Sequence, residues 1–144
     1  MKVLESFGQS EYLELAWQVR REVFIEEQDV PEEIERDDMD EKSWHILILD
    51  TEPVATGRLF EIEDGLYCIG RLAVLQKRRG RGLGHKLMQI LLSKAWSLGA
   101  KSVELHAQVQ AKAFYEAIGF IDQGQVFMEA GIEHITMIKN NPNL

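Results

Sequence analysis

Between Trp44 and Val74 the apolar positions fall in short runs broken by turn residues, whereas on either side they recur every three or four residues. The central runs read as strands at 45–49, 54–62 and 66–74, joined by a turn over 50–53 and by the hairpin signal Asp64-Gly65. Upstream, Val3 and Leu4 suit a short edge strand. Ser10 is placed to cap a helix with Tyr12, Leu15, Ala16, Val19 and Val23 on one face, ending near Phe24 or Ile25. Pro31 then opens a loop or a short second helix. Downstream, 85–98 carries Leu87, Leu91, Ala95 and Leu98 at a helical period, with Ile90 beside them. After it come an apolar strand at 102–107, a short helix at 111–118 closed by Gly119, and strands at 120–127 and 134–139 around Gly131. This order predicts a mixed α/β sheet. An antiparallel meander leads through the long helix, by a right-handed crossover, to a parallel neighbour.

At 144 residues the chain fits a single domain, 1–144, large enough to bury one core without disulfides. Cys68 is the only cysteine and the four histidines are scattered, so no metal site is expected. No apolar run approaches a membrane span, and the first fifteen residues carry acids where a signal peptide would be hydrophobic, so a cytoplasmic protein is expected. The net charge of −8 is concentrated. Residues 26–41 hold ten acids against Arg36 alone, a net −9 that leaves +1 for the rest. That acidity argues against nucleic acid as a partner.

Residues 71–88, RLAVLQKRRGRGLGHKLM, hold the most specific chemistry. Gly80, Gly82 and Gly84 let backbone N–H groups curl around an anion, and the helix that follows points its positive end at the same spot. Lys77, Arg78, Arg79, Arg81 and Lys86 add five positive charges, which suits a ligand with several phosphates. Two familiar phosphate loops do not fit. Lys86 is followed by Leu87 rather than Ser or Thr, which excludes a P-loop, and G-x-G-x-G is not the dinucleotide spacing G-x-G-x-x-G.

Together with ELHAQVQAKAFYEAIGF at 104–120, this stretch resembles the GNAT superfamily of N-acetyltransferases. The family's Arg/Gln-x-x-Gly-x-Gly/Ala loop corresponds to Arg79, Gly82 and Gly84. Its Asn-x-x-Ala-x-x-x-Tyr-x-x-x-Gly-Phe stretch corresponds to Gln108, Ala111, Tyr115, Gly119 and Phe120. The resemblance covers nearly the whole chain and implies the GNAT fold: α/β, a mixed central sheet of about six or seven strands with splayed parallel central strands, flanked by helices. It also implies acetyl-CoA, with pyrophosphate on the amides of Arg79, Gly80, Arg81, Gly82, Leu83 and Gly84. The strand before the loop, at Leu72, Ala73 and Val74, would offer N–H groups, Leu72 to the acetyl carbonyl and Val74 to the pantetheine. Gln108 stands where the family often has Asn. FIEEQDVPEEIERDD, Gly70-Arg71 and EAGIEH are similar to a small stand-alone bacterial subgroup, which would place Glu27, Gln28, His45, Arg58, Arg71 and His134 around the acceptor cleft.

The implied reaction is direct attack of an amine on acetyl-CoA in a ternary complex, by a monomer or homodimer. An amine of pKa near 10.4 is neutral in only about one molecule in a few thousand at pH 7, so a base must supply roughly 4–5 kcal/mol. Cys68 falls where histone-modifying members carry a glutamate base, which leaves Glu27, Glu61, His45, His106 and His134 as candidates. Tyr115 resembles the family's donor to the departing sulfur; its other reading is a core aromatic beside Ala111 and Ile118. The acidic segment suggests a cationic acceptor drawn to Glu26, Glu27, Glu33 and Asp37. A non-catalytic acyl-CoA-binding module would keep the same loop.

Overall fold

The computed structural model describes residues 1–144. It runs β1 (Lys2–Phe7), α1 (Glu11–Arg20), a π-helical stretch (Arg21–Glu27), α2 (Glu32–Glu35), β2 (Trp44–Asp50), β3 (Glu52–Glu63), β4 (Leu66–Val74), α3 (Leu83–Ser97), β5 (Ser102–Gln108), α4 (Lys112–Ile118), β6 (Ile121–Glu129) and β7 (Ile132–Asn140). Ser10 caps α1 by accepting from the Tyr12 N–H at 3.2 Å. The buried face is Leu13, Ala16, Val19 and Arg20, one residue round from the stripe expected at Tyr12 and Leu15. Apolar periodicity could not mark this face fully, because it includes a guanidinium, Arg20, that is sealed inside against Glu35 and Asp40. Past Arg20 the helix widens into π geometry and closes with the Val30 N–H on the Phe24 carbonyl at 2.8 Å. Such widening aims side chains that a regular helix would place elsewhere.

The seven strands form one sheet in the order β1-β2-β3-β4-β5-β7-β6. Every pairing is antiparallel except β4 with β5. Gly65 at φ +81° makes the β3–β4 hairpin, and Ala130 and Gly131, both at positive φ, make the β6–β7 turn. α3 supplies Leu83, Leu87, Met88, Leu91, Leu92 and Ala95 to a core that also takes Ile46, Leu59, Ile69, Val103, Leu105 and Met137 from the sheet. The helix lies so close to β3 that a Cβ on Gly57 would sit 2.7 Å from Leu91 Cδ1 and 3.2 Å from Leu72 Cδ1. A Cβ there would push the Leu91 and Leu72 side chains aside, so the glycine lets α3 pack directly on β3.

Candidate active site

β4 and β5 pair over three positions only, Leu66 with Ser102, Tyr67 with Val103 and Cys68 with Glu104, and then part. On its other side β4 stays paired to β3 but bulges: Arg58 faces Gly70 and Thr56 faces Ala73, so Gly57 opposes both Arg71 and Leu72. Arg71 takes φ +50°, an uncommon conformation for a residue with a Cβ. Beyond the bulge the Leu75 N–H donates to the Val54 carbonyl at 3.0 Å. Strand alternation then turns the Ala73 N–H toward β3 as well, and those of Val74 and Leu72 toward the gap. Ala73 lines the gap without offering it a donor.

The glycine turn closes one end of the gap. Gly80 and Gly82 both take φ near +80°, and a Cβ on either would meet nothing within 4 Å. Gly82 begins α3 with no side-chain cap, which leaves the first-turn amides open to an anion. The basic cluster is less free than its sequence suggests. Lys77 pairs with Glu52 at 2.8 Å, Arg78 with Asp50 at 2.5 Å, and Arg79 is held bidentately by Glu27 at 2.7 Å while its Nε donates to the Val74 carbonyl. Of the five cations Arg81 and Lys86 make no ion pair, and neither lines the cavity.

The opposite wall comes from β5 and α4. Gln108, at the end of β5, donates from Nε2 to Gln28 Oε1 at 2.9 Å, bridging the mouth of the gap to the π-helical stretch. Tyr115 stands edge-on to Phe114 and Phe120 and its hydroxyl has no protein partner. Burial pushes that hydroxyl up to about 12. All of these surfaces border one cavity of about 920 Å³.

Its roof is the acidic segment, and here the expectation of a free acidic surface is corrected. Arg20, 1% exposed, grips Glu35 at 2.6 Å and Asp40 at 2.8 Å; Arg58 takes Asp37 at 2.6 Å and Asp40 at 3.0 Å; Arg71 reaches Asp37 at 3.2 Å and the Glu35 carbonyl at 3.0 Å. Three carboxylates and three guanidiniums therefore neutralise one another in a largely dry layer. Burial alone would raise the Asp40 carboxyl, but Arg20, Trp17 and Arg58 together hold it at about 2. Glu26 and Glu33 are exposed and do not border the cavity, and Glu27 is committed to Arg79. His45 is also displaced from the cleft: it is buried, its Nε2–H donates to the Asp40 carbonyl at 2.9 Å, and burial pushes its pKa down.

The floor is Phe60 and Cys68 with His106, Glu129, Ile132 and His134. His106 Nδ1 lies 2.9 Å from Glu129, and the Cys68 thiol is pushed up to about 12 by burial and then by Glu104, so it stays protonated. Glu61 accepts from the Gly65 N–H at 3.4 Å, at the far hairpin away from this cavity. The apolar lining from Phe24, Ile34, Met39 and Phe114 was not singled out in the sequence. No local signal marks it, because each residue reads as ordinary core or surface until the roof folds across the sheet.

A family model described as an acetyltransferase (GNAT) domain matches residues 4–141. The chain belongs to the GNAT acetyltransferase family. Among relatives of this GNAT protein, the uncharacterized N-acetyltransferase YjcF of Bacillus subtilis is 39% identical over 132 residues, covering 90% of this chain and 94% of the relative. An acyl-CoA N-acyltransferase from Pseudomonas aeruginosa superposes with a TM-score of 0.86 at 31% identity, over 96% and 98% of the two chains. Escherichia coli ElaA superposes at 0.84 and 29%, over 97% and 100%. A likeness of fold alone, 0.71 at 16% identity over 97% of each chain, extends to an aminoglycoside 6'-N-acetyltransferase complexed with coenzyme A. No helix of this GNAT protein is long and apolar enough to cross a membrane.

Proposed function

We propose that this GNAT protein transfers an acetyl group from acetyl-CoA to a primary amine, by direct attack within a ternary complex. The observation that carries the reading is the shared cavity: an unladdered edge of β4, with the Leu72 and Val74 N–H groups turned into the gap, opens beside the uncapped α3 N-terminus and the Gly80–Gly82 cradle. The residues fit the donor. The empty space at both glycines admits a pyrophosphate, the unpaired Arg81 and Lys86 add positive charge beside the turn from outside the cavity, and the gap accepts an extended chain as a strand would lie. Acetyl-CoA supplies a thioester with a good leaving group. The protein supplies the rest: Leu72 N–H aims at the carbonyl oxygen, Val74 N–H holds the pantetheine, and Tyr115 hydrogen-bonds to the sulfur as charge develops there.

The acceptor enters from the side of the ion-paired roof. Because Glu35, Asp37 and Asp40 are matched by Arg20, Arg58 and Arg71, the roof contributes little net attraction, and any pull on a cationic amine comes from Glu129 and the overall charge of −8. Free-thiol release on mixing the protein with acetyl-CoA and primary amines tests the reading, across polyamines, aminosugars, amino acids and peptides. Amine-dependent release is expected. Tight acetyl-CoA binding by calorimetry with no release for any amine would leave a binding module instead.

A further inference from the structure

We propose that His134 is the general base that takes the proton from the acceptor ammonium, through its Nε2; this rests on the acetyl-transfer reading above. His134 lies on β7 opposite Gln108 of β5 and Phe127 of β6, on the sheet face that carries Cys68 and Arg58 and past the point where β4 leaves β5. It is 8% exposed yet borders the cavity. Its Nδ1 sits 2.7 Å from the Ile132 carbonyl oxygen, which can only accept, so Nδ1 carries the hydrogen. In the neutral ring Nε2 is then the bare nitrogen. No protein group bonds it, and it is not among the sealed unpartnered polar atoms, which are Ser6 Oγ and Arg58 Nε. Stacking on Phe127, at 6.0 Å and 26°, fixes the ring plane. The result is a histidine with its tautomer chosen, its ring clamped and its lone pair open to the cavity.

The other candidates are occupied. His45 spends Nε2–H on Asp40 outside the cavity, Glu27 is neutralised by Arg79, Glu61 lies at the far hairpin and the Cys68 thiol is protonated. His106 has Nδ1 on Glu129 at 2.9 Å and Nε2 3.7 Å from Glu104, so both its nitrogens face carboxylates. The charged and titratable groups on the elements around His134 are Glu129 of β6, Glu104 and His106 of β5, Cys68 and Arg71 of β4, Arg58 of β3, Tyr115 of α4, and Glu35 and Asp37 of the roof. In the step, the ammonium gives one proton to Nε2. The freed nitrogen pair forms the C–N bond as the C–S bond breaks and its pair goes to sulfur; a second proton leaves the nitrogen and one is taken up by the thiolate. His134 returns its proton to solvent, so ammonium and thioester yield amide, thiol and one proton.

Two measurements test this. Nitrogen-15 NMR of the ligand-free protein should show His134 as the Nδ1–H tautomer when neutral; the Nε2–H tautomer would overturn the proposal without any assay of turnover. His134→Asn keeps an N–H for the Ile132 carbonyl but has no basic nitrogen. Its kcat/KM should fall by about 10²-fold or more at pH 7 and rise steadily toward the amine's own pKa, with the imidazole limb gone and acetyl-CoA affinity unchanged. The parent pH profile retained in His134→Asn, or the same loss appearing in His106→Gln with His134→Asn unaffected, would overturn it. If the parent protein itself releases no thiol with any amine, the acetyl-transfer reading fails and the base assignment falls with it, whichever tautomer NMR finds.

Discussion

Replacing Tyr115 by Phe removes one hydroxyl and leaves the ring's edge-on contacts, 5.1 Å to Phe114 and 6.1 Å to Phe120, in place. The hydroxyl has been pushed up to about 12 by burial, roughly 3.5 units above a thiol near 8.5. Full transfer of its proton to a departing thiolate would be uphill by roughly 5 kcal/mol, so Tyr115 assists by donating a hydrogen bond rather than by protonating. A hydrogen bond to a charged partner is worth roughly 1.5–3 kcal/mol, which sets the loss in kcat at about 10- to 150-fold. Because the hydroxyl bonds nothing else in the protein, stability should change by less than about 0.5 kcal/mol. The assay is thiol release at saturating substrates, where chemistry limits turnover, with acetyl-CoA affinity by calorimetry and a thermal melt alongside. A kcat equal to the parent's would return Tyr115 to the role of a packing aromatic. A basic limb below pH 10 that vanishes in the variant would refute the raised hydroxyl and the argument built on it.

Gly82→Glu places a side chain and a charge where nothing stands within 4 Å, at φ +81°, so it should abolish acetyl-CoA binding by calorimetry for a fold cost of about 1–3 kcal/mol; parent-like affinity in the folded variant would remove the turn from the donor site. Asp40 titrates in the fold at about 2 against 3.8, so its contribution, roughly 2 kcal/mol, is complete above the unfolded value and is lost as pH falls through about 2. The stability gap between the parent and Asp40→Asn should therefore narrow by that amount between pH 6 and pH 2 in urea titrations, and a constant gap would deny the pairing. Glu26→Gln with Glu33→Gln should leave kcat/KM within about twofold at physiological salt, since both point to solvent and steering is screened over about 8 Å. A tenfold loss in steady-state kinetics would restore the acidic segment as an acceptor surface.

What the sequence determined by itself was whatever depends on neighbours in the chain. Periodicity located the central strands and α3, because such elements declare a buried face over a few residues, but it misplaced part of the buried face of α1 and left the segment after Pro31 open between loop and helix. The Gly80–Gly84 turn was legible for the same reason: positive φ at Gly80 and Gly82 and the open start of α3 are local backbone properties. The tertiary structure alone decided the fate of the charges. Glu35, Asp37 and Asp40 look like a solvated acidic run until Arg20, Arg58 and Arg71, from three other elements, are folded against them. Arg79 looks like a phosphate ligand until Glu27, 52 residues away in sequence, claims it. His45 and His134 are equivalent letters in the chain, yet one has its Nε2–H spent on a sealed carbonyl and the other has Nε2 open to the cavity. A charge or a lone pair is available only if no distant partner has already taken it, and which partners arrive is decided by the packing of the roof on the sheet.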